Sequence, residues 1–304
     1  MLTRRDFLAT ACAAGAGVRP GDSADTPRPL SGPICLFSKH LPELNWADLA
    51  RATKDLGFDG IDLTVRKGGH VLPEQAPVNL PKAVTAIHDG GLTVPMITTD
   101  LQEDNEVARA VVSTAGKLEI PFMKPGYYHY RFVDVRRELE TAGAQFRGLA
   151  AIARQHGVQV GFHNHAGYIG APIWDIARIL DAVDPQSAGY YFDVCHAVTE
   201  GGVGGWKIAL NLVSTRIKMI AVKDFYWEKT NSGWKPRMCP LGQGMVSWPE
   251  FFQALCRAGF AGPVSLHLEY DLPGSTAPAR RESTLAAASR DLGFLRKSLE
   301  ACRA

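Results

Sequence analysis

Val158-Gln159-Val160-Gly161-Phe162-His163-Asn164-His165 follows a charged, helix-forming run from about Val135 to His156 and a stop at Gly157. One unit of architecture is complete here: an amphipathic helix closed by glycine, a short apolar strand, and a polar tip. Side chains alternate along a strand with period two. While the chain stays extended, Gly161, His163 and His165 therefore share one face, and Phe162 turns to the other to meet a helix. A core-building face and an imidazole-bearing face are written into the same eight residues.

The unit recurs in both directions. Upstream, strands are expected at Ile34–Ser38, Gly60–Leu63, Leu92–Ile97 and about Leu118–Met123, with a helix over about Trp46–Leu56 that stops at Gly57. Downstream, strands are expected at Ala188–Asp193, Ile217–Lys223 and Val264–Glu269, with helices over Trp248–Ala258 and about Arg280–Cys302. Strands alternating with helices give a mostly parallel sheet. Eight such units in this length point to a closed (β/α)8 barrel. A doubly wound open sheet is the competing architecture, but no glycine-rich phosphate turn follows the first strand.

Composition fits a single barrel. The chain has 304 residues, 46% of them hydrophobic, enough to fill one large core. Lys plus Arg number 33 against 31 for Asp plus Glu, a formal net charge of +2 that gives no reason to expect a nucleic-acid partner. Six cysteines are scattered without a CxxC pair or zinc spacing. Cys35, Cys195 and Cys256 are expected to be small buried hydrophobes, and Cys239 and Cys302 to be exposed. Oligomeric state is unreadable from sequence; a homo-oligomer is the common default.

The first 30 residues are of another kind. Thr3-Arg4-Arg5-Asp6-Phe7-Leu8 precedes small and apolar residues through Val18, then a stretch rich in Pro, Ser, Asp and Gly. The pattern resembles a twin-arginine signal with a linker, which implies a periplasmic or secreted protein with its barrel over residues 31–304. Cys12 after Ala-Thr-Ala makes a poor lipoprotein box, so no lipid anchor is expected. No stretch suits a membrane span.

In a barrel of this type, function gathers where strands end. Polar groups pile up there: Asp62 after strand two; Lys124, Tyr127, Tyr128 and His129 after strand four; His163-Asn164-His165 after strand five; Asp193 and His196 after strand six; Lys223-Asp224 after strand seven; His267 and Glu269 on strand eight. Desolvating so many ionisable groups without a ligand is costly. Mixed imidazole and carboxylate donors suit Mn, Zn, Fe or Co. Such an ion could polarise a sugar carbonyl while a neighbouring carboxylate or lysine moves a proton. His70 could reach the mouth from its loop, and Trp206, Trp227 and Trp234 offer either a sugar-stacking surface or lid packing. Tyr226 to Arg237 reads as a lid loop.

The residues Gly57-Phe58-Asp59-Gly60-Ile61-Asp62-Leu63, Phe162-His163-Asn164-His165, Phe192-Asp193-Val194-Cys195-His196, Val222-Lys223-Asp224 and Pro240-Leu241-Gly242-Gln243-Gly244, with Glu269 on the last strand, resemble the xylose isomerase-like TIM barrels. The resemblance runs from about residue 32 to 300. It implies a sugar or cyclitol isomerase or epimerase acting through an enediolate, with a carbohydrate substrate and one divalent ion. The family's ligands are a glutamate, an aspartate, a histidine and a glutamate on strands five to eight. Asp193 and Glu269 fit two of these roles; the strand-five place holds His163 and the strand-seven place holds Ala221. The implied metal set is then His163 or His165, with Asp193, His267 and Glu269. Glu269 is the implied base, with Lys223, His196, Asp224 and His165 as further catalytic candidates. Inosose dehydratase-like or lyase/hydrolase action on a keto-glycoside uses the same residues. A non-catalytic sugar-binding barrel is the third alternative, supported by Ala221. The nuclease branch lacks its second ligand set here.

Overall fold

The computed structural model describes residues 30–301. The twin-arginine segment, Cys12 and Cys302 lie outside the described residues.

Eight parallel strands close a barrel: β1 (Ile34–Phe37), β2 (Gly60–Val65), β3 (Thr93–Thr99), β4 (Phe122–Lys124), β5 (Gln159–His163), β6 (Ala188–Asp193), β7 (Ile217–Val222) and β10 (Val264–Leu266). Helices pack outside: α1 (Trp46–Asp55), α2 (Ala76–Asp89), α3 (Glu106–Lys117), α4 (Val135–Gln155), α5 (Trp174–Asp181), α6 (Val194–Val213), α7 (Trp248–Arg257) and α8 (Ala277–Ala301). This is the (β/α)8 architecture that the alternation predicts. Asn45, Asn105 and Asp134 cap the starts of α1, α3 and α4 through their side chains.

Two hydrophobic layers follow from the alternation. Outward residues such as Ile61, Leu63, Phe162 and Phe192 join the helices in one continuous core. Inside the barrel a second cluster of Met96, Tyr191, Met219 and Ala221 plugs the centre, as expected for a packed barrel interior. Gly161 is part of that plug: a Cβ there would lie 2.1 Å from Met219 Cε, so the methionine fills the room a side chain would take.

Several expectations change. β2 runs to Val65, so Asp62 lies mid-strand inside the barrel instead of at its rim. β4 begins only at Phe122, because Leu118 caps α3. β10 stops at Leu266, leaving His267 and Glu269 just past the ladder. The lid segment is a regular antiparallel hairpin, β8 (Asp224–Thr230) with β9 (Gly233–Cys239), fully paired from Asp224–Cys239 to Thr230–Gly233. Cys239 at its base is buried, not exposed. Trp206 belongs to the helix layer, packed against Phe251, whereas Trp227 and Trp234 lie exposed on the hairpin. Among the described residues no helix is long and apolar enough to cross a membrane.

Candidate active site and metal centre

β6 ends in Asp193, and α6 begins on the next residue, so Asp193 is both strand terminus and helix cap. Its Oδ1 accepts from His196 N at 3.1 Å. The cap aims the carboxylate into the mouth. There Oδ2 meets His163 Nε2 at 3.2 Å, Lys223 Nζ at 3.2 Å and His196 Nε2 at 3.7 Å. Asn164 locks the turn, giving its side-chain amide to Asp193 O and accepting from Asp193 N. His163, Asp193 and His196 are all buried, and one donor atom from each lies within 4.8 Å of the others.

These three residues can hold a divalent ion. Burial and then the neighbouring His165 push His163 well below its ordinary pKa; burial and then Lys223 do the same for His196. Both rings are therefore neutral, with a lone pair to give. His196 Nε2 is buried and has no hydrogen-bond partner among the described residues, a cost that a ligand would remove. Two imidazoles and one carboxylate form a donor set known for transition metals with open coordination positions.

The sequence-derived ligand set divides in two. His163 and Asp193 join His196, while His267 and Glu269 form a second group. Tyr191 Oη lies 3.0 Å from His267 Nε2. Burial holds the Tyr191 hydroxyl protonated, and the bond turns the other ring nitrogen, Nδ1, away from it. That nitrogen points toward Glu269 Oε1 at 3.7 Å, too far for a hydrogen bond, and is otherwise unpartnered. Phe37 stacks on the ring at 4.4 Å between centroids.

Lys223 joins the two groups. Its Nζ bonds Glu269 Oε2 at 3.0 Å while holding Asp193. Burial alone would discharge this lysine, but Asp193 and Glu269 outweigh it and raise the ammonium above its ordinary range. Burial works against Glu269 likewise, and Lys223, His267 and Lys39 overcome it, keeping the carboxylate ionised. Lys39 adds its own bond to Glu269 at 3.1 Å.

A third wall is aromatic. Tyr127 lies 3.3 Å from His163 Nδ1 through its hydroxyl and stacks with Tyr168 at 4.6 Å. His165 lies 3.7 Å from the His196 ring and 4.8 Å from Tyr127 between centroids. Burial, then Lys223, lowers His165 to about 4. Tyr127, Tyr168, His165 and His129 make an aromatic wall against which a sugar ring can lie.

Not every candidate joins the mouth. Asp224 is fully buried, and its carboxylate accepts from Phe225 N, Gly242 N, Gly244 N, Val246 N and Trp248 Nε1 at 2.9–3.2 Å. It folds the Pro240–Trp248 segment around itself and has no lone pair left for acid–base work. Gly244 is required there, since a Cβ would sit 2.2 Å from Asp224 Oδ1. Asp62 is spoken for by Thr98 and Ser265, each at 2.7 Å. His70 is held in its loop by Thr64 and Leu41 O. Conversely, sequence reasoning passed over His40, whose Nε2 accepts from Leu268 N at 2.9 Å and so fixes the segment carrying Glu269. It also passed over Tyr191, which reads as an ordinary strand aromatic.

The model of the xylose isomerase-like TIM barrel family matches residues 50–298. A curated inosose dehydratase of Lacticaseibacillus casei is 25% identical over 145 residues, covering 44% of this chain and 48% of that protein. The chain spans about half the length of the curated relatives it matches. A xylose isomerase-like TIM barrel protein from Mycobacterium smegmatis, solved with magnesium, superposes with a TM-score of 0.68 at 17% identity, over 90% of this chain and 98% of that one. An L-ribulose 3-epimerase superposes with the same score at 16% identity, over 90% and 96%. At these identities the structural matches establish the fold.

Proposed function

The chain belongs to the xylose isomerase-like TIM barrel family, and from that premise we propose that it is a sugar or cyclitol isomerase or epimerase that removes a proton beside a carbonyl. The observation that carries this reading is the Glu269–Lys223–Asp193 bridge, which sets an ionised carboxylate beside a buried ammonium and a two-histidine, one-carboxylate cluster.

In this reading the sugar lies against Tyr127 and Tyr168. Glu269 takes the proton from the carbon beside the carbonyl. Two lysines and the His267 edge depress its basicity, so it works best once substrate oxygens draw Lys39 or Lys223 away. The Lys223 ammonium stabilises the negative charge that develops on the enediolate oxygen, and the Tyr191–His267 hydrogen bond holds the ring with Nδ1 directed at Glu269. His163, Asp193 and His196 would hold a divalent ion of the Mn, Fe, Co or Zn kind. When bound, it supplies Lewis acidity toward substrate oxygens. The leader residues Thr3–Leu8 support a periplasmic or secreted setting, where the carbohydrate is an unphosphorylated sugar or glycoside.

The test is exchange of substrate C–H for solvent deuterium across a panel of ketoses and keto-glycosides, read by NMR. Wild-type protein is expected to exchange, and Glu269→Gln to lose about 10²–10⁴-fold of that rate. Undiminished exchange in folded Glu269→Gln would remove Glu269 as base. A second reading, elimination of water or an alcohol from a keto-cyclitol or keto-glycoside, is favoured by the inosose dehydratase matches. It begins with the same proton, and product analysis separates it.

A further inference from the structure

Lys124 is a buried cation for which proton abstraction has no use. It ends β4 and is 2% exposed. Its register partner is Thr98, whose hydroxyl binds Asp62 inside the barrel. Register partners in a parallel ladder point to the same face, so the lysine rises from the barrel interior into the mouth. Its Nζ rests 3.5 Å from the centroid of the Tyr127 ring, the ring whose hydroxyl reaches His163. Unlike Lys223, it has no carboxylate within ion-pairing distance among the described residues.

The charged groups facing it do not compensate. Arg66, itself without an ion pair among the described residues and lying over Phe37, and Lys223 repel the ammonium; Asp62 and Asp100 attract it. Asp62 is a weak counter-charge, because burial raises its own pKa toward the neutral form. The Tyr127 face favours the charged amine. Burial first, then Arg66, leaves Lys124 at about 7. A desolvated lysine beside a second cation is the setting in which amines become nucleophiles.

We propose that Lys124 is a nucleophilic amine that forms a Schiff base with the ketone carbonyl of the substrate. The proposal rests on the keto-sugar reading above. The amine lone pair forms a C–N bond to the carbonyl carbon, the C=O π pair moves to oxygen, and a nitrogen proton transfers there to give the carbinolamine. One proton from solvent then lets that hydroxyl leave as water, and the nitrogen lone pair closes the C=N bond. Ketone, amine and proton become iminium and water. The iminium acidifies the adjacent C–H, which Glu269 faces from the opposite wall, and deprotonation gives an enamine in place of the enediolate, the carbonyl oxygen having left as water. Hydrolysis reverses the sequence.

The experiment is reductive trapping of the full chain with 1,3-dihydroxyacetone and cyanoborohydride at pH 7, with peptide mass spectrometry and a parallel deuterium-exchange assay on the same ketone. The expected result is a reduced adduct at Lys124 at least tenfold above any surface lysine, absent from Lys124→Met with wild-type circular dichroism. Arg66→Gln removes a facing cation and raises the amine, so labelling should fall several-fold at pH 7 and recover at pH 9, which a merely structural lysine would not show. Adducts confined to exposed lysines overturn the proposal. Exchange without a Lys124 adduct, undiminished in Lys124→Met, also overturns it while the Glu269 reading stands. Absence of both exchange and adduct overturns both. An adduct without exchange supports Lys124 and removes Glu269 as base.

Discussion

The two buried lysines of the mouth occupy opposite electrostatic surroundings. Lys223, after β7, is gripped by two carboxylates and held charged. Lys124, at the end of β4, is buried as deeply but faces a tyrosine ring and an arginine. Burial penalises both ammonium groups alike; what differs is the neighbour. One wall thus stores fixed charge and the other a titratable amine, a division suited to a reaction that needs an ionised base and a nucleophilic amine at once.

The sharpest way to break this comparison is to remove each lysine in turn. Lys223→Met leaves Asp193 and Glu269 without their shared cation, and stripping one partner from a buried ion pair costs about 3–5 kcal/mol. Lys124→Met removes a desolvated amine that has no ion pair among the described residues, so its cost should stay within about 1 kcal/mol. Urea denaturation in chelator measures both. Equal losses would mean that the two lysines do not differ as described. Titrating Mn²⁺ into Lys223→Met should restore part of its stability, since an ion at His163, Asp193 and His196 returns positive charge to the same carboxylate and stabilises by mass action.

A second comparison sets Asp193 against Asp224, two buried aspartates at neighbouring strand ends. One points into the mouth; the other is saturated by five N–H groups. Asp224→Asn turns an acceptor edge into a donor toward those groups. With charge-assisted bonds worth about 1.5–3 kcal/mol each and partial relaxation, a loss of about 2–4 kcal/mol is expected, with deuterium exchange per folded molecule nearly unchanged. A rate loss at wild-type stability would return Asp224 to the chemistry.

Periodicity made the barrel legible, because helix and strand periods alternate cleanly and glycine stops three of the helices. Period two also paired His163 with the mouth correctly. It could not assign depth. Asp62 looks like a strand end only if β2 stops at Leu63; two more residues of pairing put it inside the barrel. Nor could it separate Asp224 from Lys223, since adjacent residues face opposite ways and only the wrapping of Gly242–Trp248 reveals which one is consumed. His196 was legible as a catalytic candidate but not as a third ligand, because Asp193 itself caps helix α6, which starts on the next residue and folds His196 back over the carboxylate. Lys124 stood out by position. Its lack of a partner depends on which residues surround it in three dimensions, which no spacing encodes.

His40 offers the smallest effect and the cleanest sign. Its Nε2 accepts a hydrogen bond from Leu268 N, which requires a neutral ring. Burial, then His267, lowers it from 6.5 to about 3. Between these values the unfolded chain binds a proton that the folded chain refuses, so stability is complete above pH 6.5 and declines as pH falls toward 3. At pH 4.5 the two units below 6.5 correspond to about 2–3 kcal/mol, trimmed by the ring's partial contact with solvent to about 2 kcal/mol. His40→Gln keeps an acceptor but cannot titrate. Urea midpoints from pH 7 to 4 should therefore fall less steeply in the variant, by about that amount at the acid end. Parallel curves would show that His40 is protonated in the folded protein. The Leu268 bond would then be absent, and the segment that carries Glu269 would be left to the His267 contacts with Val222 O and Tyr191 and to the charged wall of Lys39 and Lys223.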